Sequence, residues 1–206
     1  MKSALNQHQQ SIHQVFDMIR RGDLRVPELG QEFSWSSDDQ LALFESIRRG
    51  LPIGPITCWR PCENEEVKHL SLIDKPTNAG HFPSYVIDGY NRILTLFGQI
   101  SSSSDLPKNV VRIGYNFNDN QFVMMDISHS GIDYILPVKK LFDSIELLRF
   151  QREIKNPNWV TKSDELAEQT RILVVQVTTI VSSDKTLINH YLKTANQSRS
   201  SVKTIL

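Results

Sequence analysis

The residues best suited to chemistry stand together at Asp88-Gly89-Tyr90-Asn91-Arg92. Before them, Ser84-Tyr85-Val86-Ile87 has the apolar, β-branched content of a strand. After them the apolar spacing changes from about 2 to about 3.6 residues, at Ile93, Leu94, Leu96 and Phe97, as a strand gives way to a helix. A helix that starts where a strand stops presents unpaired backbone N–H groups and the positive end of its dipole. Gly89 lets a phosphate or another backbone come close. Arg92, in the first helical turn, can reach the same anion, and Asp88 suits a metal ion or a ribose hydroxyl. Together they describe a phosphate site. The same residues also read as an aspartate cap, a turn glycine and a solvent arginine, because Asp-Gly turns are common. The local sequence leaves both readings open.

Two further segments carry candidate groups. In Pro27 to Trp35, Phe33 and Trp35 alternate with polar residues in a loop, which either plugs the core or walls the phosphate site. Past the last apolar helix comes Asn196-Gln197-Ser198-Arg199-Ser200-Ser201. Lys185, Lys193, Arg199 and Lys203 lie from 185 onward with no acid among them, as a phosphate-facing edge or as a solvated helix end. Other chemistries lack their residues. Cys58 and Cys62 have CxxxC spacing and no further zinc ligands, so both are expected reduced and metal-free. The six histidines form no HExxH pair, and neither a GxxxxGK[ST] loop nor a G-x-S-x-G elbow occurs.

The elements that must position these groups follow from pattern. Ile12, Val15, Phe16 and Ile19 share one helical face, closed by Arg20-Arg21-Gly22. Ser36-Ser37-Asp38-Asp39 opens a second helix that ends at Arg48-Arg49-Gly50. Residues 56–60 and 84–87 read as strands, with a polar loop over 61–83 between them. Val110 to Phe117 and Gln121 to Met125 flank Asn118-Asp119-Asn120 as a hairpin. A helix is expected over 141–155, a strand over 171–179 and a helix over 187–195. Two strands, 84–87 and 171–179, are apolar enough to be internal to one sheet. The order of elements is α+β, a mixed sheet with flanking helices.

The 206 residues read as a single domain, whole or a piece of a longer chain. Lys+Arg and Asp+Glu are 23 each, which argues against a polybasic partner surface. A hydrophobic fraction of 39% excludes the disordered class. No apolar run approaches the ~20 residues of a membrane span, and residues 1–10 lack the apolar centre of a signal peptide. With two cysteines only, the chain reads as soluble and cytoplasmic.

Taken in order, these segments resemble one family, the N-terminal domain of GmrSD-type, modification-dependent restriction systems. That family shows a "g.l.IP.fQR.Y.W" segment, a helix ending "i..G.PiG.i", a strand ending "DGQQR..tL", and a late "lN..G..L". The counterparts here are Gly22 to Trp35, Ile47 to Ile56, Asp88 to Leu96, and Ala195-Asn196 to Val202. The departures are specific. The family's Gln-Arg pair falls on Gly30 and Gln31, its two central glutamines on Tyr90 and Asn91, and its late glycine on Arg199. The resemblance implies a ParB/sulfiredoxin-like fold that binds a nucleoside triphosphate with Mg2+. In several members hydrolysis licenses DNA cleavage by a separate HNH-type nuclease domain or subunit. It implies Asp88 and Arg92 as catalytic groups, Asp88 as metal ligand, and Gly89, Asn91, Gln31, Trp35 and Asn196 as nucleotide-binding groups. No His-Asn-His-like cluster is present. The alternative is a DNA-binding or protein-interaction module with a degenerate nucleotide site, contacting partners through Phe33, Trp35 and the basic 185–203 edge.

Overall fold

The computed structural model describes residues 4–28, 33–63, 65, 67–73, 82–125 and 134–195, with side chains to Leu192. The chain runs β1 (Ala4–Ser11), α1 (Ile12–Arg21), β2 (Leu24–Arg25), α2 (Ser37–Arg48), β3 (Ile56–Arg60), β4 (Ser84–Asp88) and α3 (Tyr90–Gly98). It continues through β5 (Ile113–Asn116), β6 (Gln121–Met124), β7 (Ile135–Pro137), α4 (Ser144–Glu153), α5 (Pro157–Ile172), β8 (Val174–Val181) and α6 (Lys185–Ala195). The architecture is α+β: one mixed five-stranded sheet, ordered β1-β8-β3-β4-β2, and one antiparallel sheet ordered β6-β5-β7.

The main sheet divides the core. On one face Cys58, Val86, Val175 and Val177 pack with α1, α2, α3 and the smaller sheet. On the other, α6 lays Ile188 and Leu192 on Trp59, Tyr85 and Ile87. Alternation along β8 agrees: Val175 and Val177 are buried, whereas Val174 and Gln176 are exposed. The indole N–H of Trp59 donates to the Ser182 carbonyl at 2.8 Å, so this large buried ring keeps its one polar group satisfied. Phe16, on α1, meets Phe97 and Phe142 at ring-centroid distances of 5.3 and 5.0 Å.

Two buried glutamines hold the smaller sheet to the helices. Gln40 of α2 donates to the Asn109 carbonyl at 2.8 Å and accepts from the Val111 N–H at 3.0 Å. Gln99, capping α3, donates to the Thr95 and Val111 carbonyls and accepts from the Ile113 N–H. A buried amide with both ends satisfied fixes an orientation that an apolar side chain would not.

The strands at 84–87 and 171–179 lie inside one sheet, as their composition predicts, and α3 belongs to the main core. Boundaries shift at the second of them. Arg171 and Ile172 finish α5, and β8 starts only at Val174. The apolar run hid the change because the strand-like alternation of exposed and buried residues already starts at Ile172, exposed, and Leu173, buried, and continues unbroken into β8. The helix expected over 141–155 is a 3-10 turn, Val138–Phe142, followed by α4, and β1 and most of α5 lie where no element was expected.

α2 carries an acid-sensitive contact. Glu45 accepts from Arg48 at Nε, 2.7 Å, and at Nη2, and from Arg49 Nε at 2.7 Å. Its carboxyl is held down to about 2, chiefly by the Arg48 hydrogen bond, against the opposing cost of burial. A carboxyl lowered in the folded state adds stability above its unfolded value and loses it as pH falls toward the folded one. Compared with Glu45→Gln, the wild-type protein should therefore gain urea resistance above about pH 4.5 and lose that margin toward pH 2. A margin constant across that range would show that the ion pair contributes nothing.

Candidate functional site

Asp88 ends β4 and Gly89 turns the chain into α3. Gly89 has φ 90° and ψ 11°, in the left-handed region where a side chain is strained. The space is closed as well. A Cβ there would lie 3.3 Å from Ile56 Cγ1 and 3.4 Å from the Pro55 carbonyl oxygen. Glycine is thus needed twice, for conformation and for the approach of the segment leading into β3.

No side chain caps α3. The Asp88 carboxylate accepts the Gly89 N–H at 2.7 Å, and the first helical bond runs from the Ile93 N–H to the Gly89 carbonyl at 3.0 Å. The amides of Tyr90, Asn91 and Arg92 therefore form the first turn of a helix whose positive end opens at the carboxyl end of a strand.

Arg92 folds back rather than outward. Its Nη1 donates to the Pro55 carbonyl, and the guanidinium covers Gly54, where a Cβ would lie 3.1 Å from Nη1. Gly54, at φ 86°, leaves that seat open. The sequence signal for this seat is slight: a second glycine, Gly54, beside a proline whose carbonyl must point somewhere.

Asn91 is buried, and its polar atoms engage the preceding loop. Nδ2 donates to Ser34 Oγ at 2.9 Å, and Oδ1 accepts the Ser34 N–H at 3.3 Å. The loop is held further by Asn109 Nδ2, which donates to the Phe33 carbonyl at 2.8 Å. Burial raises the Tyr90 hydroxyl pKa, with a smaller contribution from the Glu28 charge. Ser34 thus joins the first turn of α3 through Asn91. Trp35 is half-buried and packs on the main core, and Phe33 is buried within it. Phe33 cannot be the exposed contact residue of the interaction-module reading, and Lys185 of the basic edge is paired with Glu65 at 3.1 Å. Gln31 and Asn196 lie outside the described residues.

A partner from α6 completes the surroundings. Tyr191 donates its hydroxyl hydrogen to Thr57 Oγ1 at 3.1 Å, and Thr57 is the cross-strand partner of Asp88. The helix leading toward 196 is thus docked beside the end of β4. Among the described residues no group of three His, Cys, Asp or Glu could hold a metal. The cysteines are free, and burial pushes the Cys58 thiol up to about 12, which suits a core residue and not a redox centre.

A strand ending in Asp88, a helix opening without a side-chain cap and an arginine over the adjoining turn meet at one corner of the mixed sheet. Residues 12–204 match the family described as GmrSD restriction endonuclease, N-terminal domain. The match covers nearly the whole chain, and the protein belongs to that family. No curated protein matches the sequence.

Gly89→Ala should lower stability by about 1–3 kcal/mol, since alanine must take a left-handed backbone against Ile56. Denaturant unfolding of the two proteins measures it. An alanine variant as stable as wild type would show that the junction does not require glycine.

Proposed function

We propose that this domain binds a nucleoside triphosphate with Mg2+ and serves as a cytoplasmic sensor or regulatory module of a bacterial restriction system that acts on modified DNA. The observation that carries the proposal is the α3 N-terminus, uncapped by any side chain, with Gly89 and Arg92 beside it. In this reading the amides of the first turn receive phosphate oxygens, and Gly89 supplies the left-handed turn that presents them. Arg92 supplies positive charge at the rim, turning from the Pro55 carbonyl to the phosphate. Asp88 is the carboxylate offered to the ion, and among the described residues it belongs to no group of three His, Cys, Asp or Glu. That suits Mg2+, which is usually held by one or two carboxylates, phosphate oxygens and water. Asn91 acts through Ser34, holding the 33–35 loop and Trp35 alongside. Gln31 and Asn196 would add contacts from the flanking segments.

Nucleotide binding of this type prepares hydrolysis when a water is also positioned, and charge neutralisation at the phosphates is the protein's main contribution. The reading assigns DNA cleavage to a separate HNH-type nuclease domain or subunit.

Calorimetric titration with each common triphosphate and Mg2+ tests the proposal. Wild type should saturate, Arg92→Ala should bind at least ~tenfold more weakly, and Asp88→Asn should lose its dependence on Mg2+. Thermal melts check that both variants remain folded. Equal affinity in wild type and Arg92→Ala, or no binding in wild type, would overturn it. DNA binding that falls steeply with salt and ignores nucleotide would put the interaction-module reading in its place.

A further inference from the structure

The two edges of the main sheet are built differently. β2 ends one side with two residues, Leu24–Arg25, and so offers almost nothing to pair with. β1 ends the other side with eight residues, Ala4–Ser11, in an unbroken register with β8 from Ala4↔Val181 to Ser11↔Val174. It contains no charge, proline, glycine or bulge, the usual devices that keep an edge from pairing.

The hydrogen-bond phase of this edge can be derived. The Ile12 N–H donates to the Leu173 carbonyl at 3.1 Å, continuing the same register. In an antiparallel ladder bonded and non-bonded pairs alternate. Residues 12, 10, 8 and 6 therefore bond inward to β8, and Leu5, Gln7, Gln9 and Ser11 turn N–H and C=O outward. Ser11 is already occupied: its N–H donates to Gln14 Oε1 at 2.8 Å as part of the α1 capping box. The remaining outward set, Leu5, Gln7 and Gln9, is symmetric about Gln7.

We propose that this edge is a self-association surface, on which β1 of a second copy pairs antiparallel about a two-fold axis through Gln7. That register opposes Gln7 to Gln7 of the second copy and Leu5 to Gln9, and it satisfies every outward N–H and C=O of the three residues. Any other register leaves some of them unpaired. The side chains agree with a like partner. Asn6, Gln7, His8, Gln9 and Gln10 carry amides and an imidazole, with no carboxylate or ammonium to repel its own copy. A two-fold pair of this kind is isologous and closes, so it joins two five-stranded sheets into one and stops there.

Sedimentation velocity over a concentration series tests this, with three variants chosen from the derived phase. Wild type should show a reversible, concentration-dependent dimer. Gln9→Pro removes an outward N–H and leaves the β8 ladder intact, so it should weaken the dimer at least ~tenfold with a melting temperature close to wild type. Gln7→Lys and Gln7→Glu place like charges at the axis. Each alone should be monomeric, and an equimolar mixture should recover the dimer. Wild type that stays monomeric to its solubility limit would overturn the proposal and leave the edge to a strand from another protein. A dimer that survives Gln9→Pro, or that the charge-swapped mixture fails to restore, would place the contact elsewhere.

Discussion

Parallel pairing of β3 with β8 is the constraint on which the rest depends. It ties Ile56–Arg60 to Val177–Val181 across more than half the chain. Closing a loop of that length costs only about 0.6 kcal/mol more than closing one half as long. The pairing brings β1 and α6 into the structure. Among the described residues β1 has no neighbour in the sheet except β8. α6 follows β8 directly and reaches Trp59, Tyr85 and Ile87 only because β3 and β4 lie beside it. Without this pairing the face beneath α6 would be an exposed apolar patch of two large aromatic rings.

The corner formed by Asp88, Gly89 and Arg92 depends on the same sheet for a second reason. β3 and β4 run antiparallel, so β4 ends where β3 begins. The turn before β3, Gly54-Pro55, is thereby set against Gly89 and Arg92, more than thirty residues on. The register shifts between Thr57 and Cys58, next to the Thr57↔Asp88 pair. Irregularities of this kind re-aim side chains beside functional sites. Two left-handed glycines facing one another through an arginine and a carbonyl form a corner that neither strand could make alone.

Much of this was legible in the residues. The change of period at Ile93 marks the end of β4 and the start of α3, and Asp88 and Gly89 fall at the junction. What could not be read shares one physical character. β1 is an edge strand exposed on nearly its whole length, so it has no alternation of apolar and polar residues to betray it. Asn91 is buried, and its partner Ser34 lies 57 residues away. Gln40 and Gln99 appear as ordinary polar residues, although each is enclosed and bonds at both ends of its amide. Polar residues buried by tertiary contacts carry no local signature, because their burial is decided by segments far along the chain.

One transverse row links the two surfaces of interest. Gln7 stands opposite Thr178, Thr178 beside Thr57, and Thr57 opposite Asp88. The outer edge and the Asp88 corner are therefore the two ends of a single line of residues across four strands. A sheet transmits displacement along such a line only if a strand can slip, and slippage by one residue turns every side chain to the opposite face. For β8 that would bring Val175 and Val177 out of the core and drive Gln176 into it. The buried valines fix the register, and the row behaves as a rigid spacer. A link between the two ends that does not need a slipped strand is offered by α6, whose Tyr191 donates to Thr57 within the row.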